Sequence, residues 1–107
     1  MKVLLEECLP KRLKRELPGH VIVRVQEMGW SGIKNGALIN LIKSSDFEVF
    51  VTIDGNLEYQ QNLRAINFAL IVLGAPENTF ETLRPLMPKV LEALKTVKVT
   101  DVVHINA

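Results

Sequence analysis

The sequence predicts an α/β fold, a three-layer sandwich whose middle layer is a mainly parallel five-stranded sheet. Short apolar or β-branched runs alternate along the chain with segments of helical periodicity, as in repeated strand–helix–strand units. The 107 residues, of which 48% are hydrophobic and 23% charged, predict one domain spanning 1–107 with a core large enough to fold without disulfides. With right-handed connections, the simplest strand order is 2-1-3-4-5.

The first strand and the first helix are predicted from the N-terminal residues. A run of three apolar residues within 2–6 is typical of a buried parallel strand. Leucines then recur at four-residue spacing through 9–17, which indicates an amphipathic helix. Pro10 suits the first helical position because the amide there has no partner within the helix. Pro18-Gly19 should end this helix.

The middle of the chain continues the alternation. Strands are predicted over 20–25, 47–53 and 68–73, where β-branched and other apolar residues are concentrated. Helical periodicity predicts a second helix over 34–43 and favours a short helix over 57–66.

The last part of the chain predicts one interrupted helix and one strand. Asn78 and Glu81 have the spacing of a capping box, which would begin the helix. Pro85 and Pro88 predict a kink, or a restart with Pro85 in the first turn. The final strand is predicted over 98–105, at an edge of the sheet. This arrangement is flavodoxin-like, and such sheets bind ligands at the carboxyl ends of the strands where the winding reverses.

Acidic side chains follow the two strands that should meet at this reversal. Glu6 and Glu7 close the first strand, and Asp54 follows the third. If these carboxylates share one crevice, their mutual repulsion would be relieved by a bound cation. Mg²⁺ suits such a site because it takes oxygen ligands and uses one or two carboxylates. The alternative is that these acids are ordinary solvated residues at strand ends.

A cluster of cations lies on the predicted first helix, just after these acids. Lys11, Arg12, Lys14 and Arg15 would hold RNA phosphates by charge, and Asn56 would help to orient water or bases. The other interpretation is a plain solvated helix face. Because the formal net charge is only +1, nucleic-acid binding would depend on such a local patch.

Several blocks of the chain resemble the short PIN-like domains, a branch known mainly as conserved proteins of unknown function. The resemblance is carried by Leu4-Leu5-Glu6-Glu7-Cys8-Leu9-Pro10, Gln26-Glu27-Met28-Gly29-Trp30-Ser31-Gly32, Val51-Thr52-Ile53-Asp54-Gly55-Asn56-Leu57, Gln60-Gln61-Asn62 and Leu83-Arg84-Pro85-Leu86. PIN domains are, as a superfamily, Mg²⁺- or Mn²⁺-dependent ribonucleases, and many are toxins paired with a small antitoxin. The resemblance therefore implies a metal-dependent ribonuclease, with RNA and an antitoxin-like protein as partners. In that interpretation Glu6 and Asp54 are catalytic, and Glu7 joins them in holding the metal.

The chain departs from the PIN-like pattern at two positions. Glu6 stands where the family usually has Asp, and an acid is typical at or near Ala37, where the chain has none. Asn35 or Asn40 would offer an amide oxygen there, without charge. These departures leave open an alternative, a catalytically degenerate module that acts by binding a protein or nucleic-acid partner.

The cysteine content and the length of the apolar runs exclude several classes of protein and indicate where this one is located. The single cysteine, Cys8, excludes an internal disulfide framework and a cysteine-rich zinc site. We expect Cys8 to be a buried thiol, since no His lies nearby in sequence to activate it. The longest apolar run covers only 68–73, far short of a membrane span. The predicted location is the cytoplasm, with no membrane partner and with a homodimer left open.

Overall fold

Five parallel strands form the middle layer of this flavodoxin-like, three-layer α/β fold, and their order is 2-1-3-4-5, as predicted. The computed structural model describes residues 1–57 and 65–107. The strands are β1 (Lys2–Leu5), β2 (Val21–Arg24), β3 (Val49–Thr52), β4 (Ala69–Gly74) and β5 (Val102–Asn106). Every pairing is parallel, so the sheet is more regular than the mainly parallel one that the sequence predicts.

Helical segments connect the strands on both faces of the sheet. The α-helices in the described ranges are α1 (Asn35–Lys43), α2 (Phe80–Leu83) and α3 (Met87–Leu94). In the same ranges, 3₁₀ helices cover Lys11–Glu16, Val25–Met28 and Arg84–Leu86. We call the segment Lys11–Glu16 the basic 3₁₀ helix. None of the helices in these ranges is both long and apolar enough to cross a membrane.

Alternate residues of each central strand face opposite sides of the sheet, and two buried clusters result. On one face, Val3 and Leu5 pack in a cluster with Leu13 of the basic 3₁₀ helix, the leucines that flank this helix, and the apolar face of α2 and α3. On the other face, Leu4 and Phe50 pack in a cluster with the apolar face of α1. Strand residues must therefore be apolar on both faces, which explains the unbroken apolar runs of the sequence.

The predicted first α-helix is instead the basic 3₁₀ helix, and its first residue is Lys11 rather than Pro10. Pro10 has an extended ψ of 137° and precedes the helix, so its expected place at the first helical position is wrong. The amide of Leu13 donates to the carbonyl of Pro10 at 3.1 Å, the i to i+3 bond of a tight 3₁₀ turn. Leu9, Leu13 and Leu17 are nevertheless all buried, as their spacing suggests.

The interrupted helix begins one residue later than the capping box predicts. The side chain of Thr79 accepts the bond from the amide of Thr82, while Asn78 donates to the carbonyl of Cys8 at 3.2 Å. The Asn78–Glu81 capping box is therefore wrong, because Asn78 is used in a long-range contact. The restart at Pro85 is confirmed, since a 3₁₀ turn over 84–86 separates α2 from α3.

The final strand is shorter than predicted, although it does lie at a sheet edge. It begins at Val102 because 98–101 form a turn, in which the Asp101 carboxylate accepts from the amide of Lys98 at 2.8 Å. Thr100 has a left-handed φ of 72°, which also excludes regular strand geometry at that residue. Most of the helix predicted over 57–66 falls outside the described residues, though Leu57 and Ile66 are buried.

Candidate functional site

The carboxyl ends of β1 and β3 bring Glu6 and Asp54 into one hydrogen-bonded unit. These strands are neighbours, and the amide of Glu6 donates to the carbonyl of Val51 at 3.0 Å. Thr52 lies between the two acids. Its hydroxyl donates to Oε1 of Glu6 and accepts from the amide of Asp54 at 3.0 Å. Thr52 is almost completely buried, so this polar link is held by the sheet itself.

Asp54 is also held by the first residue of α1 and by its own turn. The side-chain amide of Asn35 donates to Oδ2 of Asp54 at 3.0 Å. Oδ1 accepts from the backbone amide of Asn56 at 3.0 Å, so Asn56 reaches this site through its backbone. Of the two asparagines that the sequence offers in place of the missing acid, the structure places Asn35 beside Asp54. Asn40 is exposed further along α1.

Glu7 is held by a different contact from that of Glu6. Its Oε1 accepts from the backbone amide of Gly32 at 3.0 Å, and its carbonyl accepts from the side-chain amide of Gln26 at 2.8 Å. Gly32 has a φ of 76°, a left-handed conformation that glycine adopts without strain. The visible role of Glu7 is thus to anchor the loop that precedes α1.

The hydrogen bonds of Glu6 and Asp54 show which carboxylate oxygens already have a donor among the described residues. A carboxylate has about four acceptor positions. Thr52 and the amide of Ile53 occupy Oε1 of Glu6, whereas Oε2 of Glu6 and both oxygens of Asp54 each accept one bond. Among residues 1–57 and 65–107, no second donor is bonded to any of these three oxygens. Within the described ranges no three Asp, Glu, His or Cys side chains are grouped as a metal site. Glu6 and Asp54 offer the oxygen donors that Mg²⁺ takes, and water and phosphate would have to complete its coordination.

Cys8 contacts this acidic site through its thiol. Its Sγ donates to Oε2 of Glu6 at 2.7 Å. Desolvation of the thiol, together with the hydrogen bond and the negative charge of Glu6, raises the pKa of Cys8 to about 12. The sequence-based expectation that Cys8 is buried is wrong, because the residue as a whole is exposed even though its thiol is partly desolvated. The raised pKa keeps it a neutral donor and makes it a poor nucleophile at neutral pH.

We expect Cys8 to react with iodoacetamide at pH 8 at least about tenfold more slowly than an unhindered thiol, although it is exposed. Glu6→Gln should speed the reaction by removing the negative charge, while Glu7→Gln, which alters the contact with Gly32, should not. The folded protein keeps the thiol proton between pH 9.0 and about 12, so this group makes stability fall as the pH rises through that window. A wild-type alkylation rate equal to that of free cysteine would contradict the hydrogen bond between the Cys8 thiol and Glu6.

The predicted cations lie together on the basic 3₁₀ helix. Lys11, Arg12 and Arg15 are exposed, and together with Lys14 they line a cleft of about 530 Å³. Lys14 is paired with Glu27 at 2.8 Å, whereas no acid in the described part of the chain forms an ion pair with Lys11, Arg12 or Arg15. Lys11 follows Glu6 by five residues, so their Cα atoms are at most about 18 Å apart.

One aromatic contact in this basic region has no counterpart in the sequence-based predictions. Phe80 of α2 lies beneath Arg12, with 4.0 Å between the guanidinium carbon and the ring centroid. Arg84 lies near the same ring at 5.9 Å and donates to Glu16 at 2.9 Å. Glu16 and Arg84 are 68 residues apart in sequence. No local sequence pattern therefore indicates that these side chains meet.

Neither the family models, nor the curated proteins, nor the solved structures with which the chain was compared give a match.

Proposed function

We propose that this chain is a PIN-like, metal-dependent ribonuclease whose acidic site is formed by Glu6 and Asp54. The observation that carries the proposal is the link between these two acids through Thr52, at the carboxyl ends of β1 and β3. The winding of the sheet reverses there, which is where sheets of this type bind ligands. The resemblance of the surrounding sequence blocks to PIN-like domains adds the reaction class.

Each residue of the site has a distinct task in this proposal. Glu6 and Asp54 hold Mg²⁺ or Mn²⁺, and such an ion supplies an activated water and charge stabilisation for in-line displacement at a phosphodiester. Thr52 and Asn35 fix the orientations of the two carboxylates by donating to them. Hydrogen bonds to a metal-binding carboxylate set the direction of its lone pairs. The affinity for the metal therefore depends on such bonds.

The basic 3₁₀ helix attracts the RNA in this proposal. Lys11, Arg12 and Arg15 contribute positive charge that no acid in the described ranges neutralises in an ion pair. Binding to phosphates by such charges releases counterions and weakens steeply with salt. The substrate strand would then run from the cleft beside these cations towards Asp54.

The proposal also includes a cytoplasmic location and a small antitoxin-like protein as partner. A single exposed thiol, Cys8, with no disulfide suits a reducing compartment. The antitoxin follows from the family resemblance alone. The proposal leaves room for a homodimer, because β2 and β5 are the outer strands of the sheet and a second copy could pair with either of them.

A second candidate is a catalytically degenerate PIN-like module that binds a protein or nucleic-acid partner. The observation that favours it is the first turn of α1, where Ala37 is exposed and Asn35 supplies an amide instead of a carboxylate. With one negative charge fewer than the family pattern, the site would hold a divalent ion more weakly.

Metal dependence separates these two candidates. We expect the wild-type protein to cleave a fluorescent single-stranded RNA in Mn²⁺ or Mg²⁺ and to leave it intact in EDTA. A metal at about 100 times its Kd would stabilise the fold by ~2.7 kcal/mol, which corresponds to a rise in Tm of roughly 10 °C. The absence of both cleavage and a thermal shift at millimolar metal would overturn the nuclease proposal and favour the binding module.

A further inference from the structure

A second, smaller cleft adjoins the basic 3₁₀ helix on the side of α2. It has a volume of about 210 Å³ and is lined by Arg12, Arg15, Glu16, Phe80 and Arg84. We call it the Phe80 cleft. It shares Arg12 and Arg15 with the larger cleft, so the two form one continuous basic surface. The part of the chain that lines the Phe80 cleft contains three guanidinium groups and one carboxylate.

Arg12 is held in a defined orientation within this surface. Its guanidinium lies on the ring of Phe80, and a cation over an aromatic face is attracted by the ring quadrupole. Phe80 is itself packed against the buried cluster on that face of the sheet, so it supports Arg12 from a fixed position. Such preorganisation reduces the entropy lost when a ligand is bound.

Glu16 occupies one of the three guanidinium groups, that of Arg84. Its carboxylate accepts from Nε of Arg84 at 2.9 Å, in the same cleft that Arg12 and Arg15 line. A carboxylate and a phosphate bind a guanidinium through the same bidentate geometry. Glu16 is therefore placed as an internal competitor for any phosphate that enters the Phe80 cleft.

We propose that the Phe80 cleft is a phosphate-binding subsite in which Arg12, Arg15 and Arg84 bind one phosphate group of a nucleic-acid strand, in competition with Glu16. Guanidinium groups are suited to this task because their planar fork matches the oxygens of a phosphate. The choice of a nucleic-acid ligand rests on the proposed function. Binding at this cleft does not require the acidic site, because none of its residues touches Glu6 or Asp54 in the described contacts.

Substitution of Arg84 tests the subsite against a closely matched control. Arg84 and Lys95 have similarly exposed side chains, 65% and 67%, and each forms one ion pair with a glutamate. We expect Arg84→Gln to weaken binding of a fluorescent single-stranded oligonucleotide about tenfold, as for a lost charged hydrogen bond, while Lys95→Gln leaves it within about twofold. Binding is measured by anisotropy in EDTA at one fixed salt concentration, after circular dichroism has confirmed the fold of each variant.

Substitution of Glu16 is expected to strengthen oligonucleotide binding, whereas substitution of Arg84 weakens it. Glu16→Gln keeps the size of the side chain but removes the competing charge, so we expect binding to tighten by roughly threefold or more. A merely structural role of the Arg84–Glu16 pair would instead make both variants bind no better than the wild type. The proposal is overturned if Arg84→Gln behaves like Lys95→Gln, or if Glu16→Gln does not bind more tightly.

Two sources of the phosphate are distinguished with oligonucleotides that carry a 5′-phosphate, a 3′-phosphate or neither. A preference for one phosphorylated end that disappears in Arg84→Gln would assign the cleft to a terminal phosphate. Equal binding of all three, each weakened by Arg84→Gln, would assign it to an internal phosphodiester. Because EDTA removes metal, these results stand or fall separately from cleavage at Asp54.

Discussion

Replacement of Asp54 with Asn is expected to abolish metal-dependent RNA cleavage while leaving the protein folded. The substitution removes one of the two carboxylates that the proposed site contains, yet its amide oxygen still accepts from the amide of Asn56. Changes that only disturb the support of a metal ligand cost 10–100-fold, so loss of the ligand charge should cost at least about 100-fold. The rate is measured with a fluorescent RNA at saturating Mn²⁺.

Asp46→Asn is the matched control for this substitution. Asp46 precedes β3, whereas Asp54 follows it, so the two residues lie at opposite ends of the same strand. The carboxylate of Asp46 is exposed and is paired with Lys2, whose hydrogen bond lowers its pKa. We expect this variant to cleave at the wild-type rate. Cleavage by Asp54→Asn at that same rate would mean that Asp54 holds no catalytic metal.

Replacement of Phe50 with Ala is expected to produce a large loss of stability. Phe50 lies on β3, which pairs with β1 and β4, and its side chain is 1% exposed within the cluster beneath α1. Truncation of a buried Phe costs ~3–5 kcal/mol through lost burial and the cavity left behind. Since domains of this size have unfolding free energies of about 5–15 kcal/mol, this loss would remove at least about a fifth of the stability of the protein.

Urea denaturation followed by Trp fluorescence measures this effect. Trp30 is the single tryptophan, is partly buried, and meets the ring of Phe47 edge-on at 6.2 Å between centroids, so its emission should change on unfolding. Phe50→Leu is the control, because it keeps most of the buried volume and should cost about 1 kcal/mol. A loss below ~1 kcal/mol for Phe50→Ala would show that the site repacks freely.

Much of the fold is predictable because it depends on local patterns. Apolar runs identify all five strands to within a few residues at each end, except that the last begins at Val102 rather than Lys98. The strand order then follows from the alternation of strands with connecting segments, because right-handed crossovers allow few arrangements. From that order it also follows that Glu6 and Asp54 lie near each other, because they stand at the carboxyl ends of two neighbouring strands.

The contacts within the candidate site are less predictable. Thr52 is a β-branched residue at the end of an apolar strand, and nothing in that pattern shows that its hydroxyl links Glu6 to Asp54. Asn35 is one of two candidates near the start of α1, and only the packing of that helix against the sheet selects it. Likewise, the stacking of Arg12 on Phe80 depends on α2 lying against the basic 3₁₀ helix.

The amino-acid sequence by itself determined the class of fold, the order of the strands and the placement of the acids at the carboxyl ends of two neighbouring strands. These properties arise from hydrophobic periodicity and chain handedness, which act over a few residues at a time. Only the tertiary structure decided that Lys11–Glu16 winds as a 3₁₀ helix, that Thr79 caps α2 and that Glu7 holds a loop. Each of those outcomes depends on which distant groups compete for the same donor or the same space, and that competition is settled by packing.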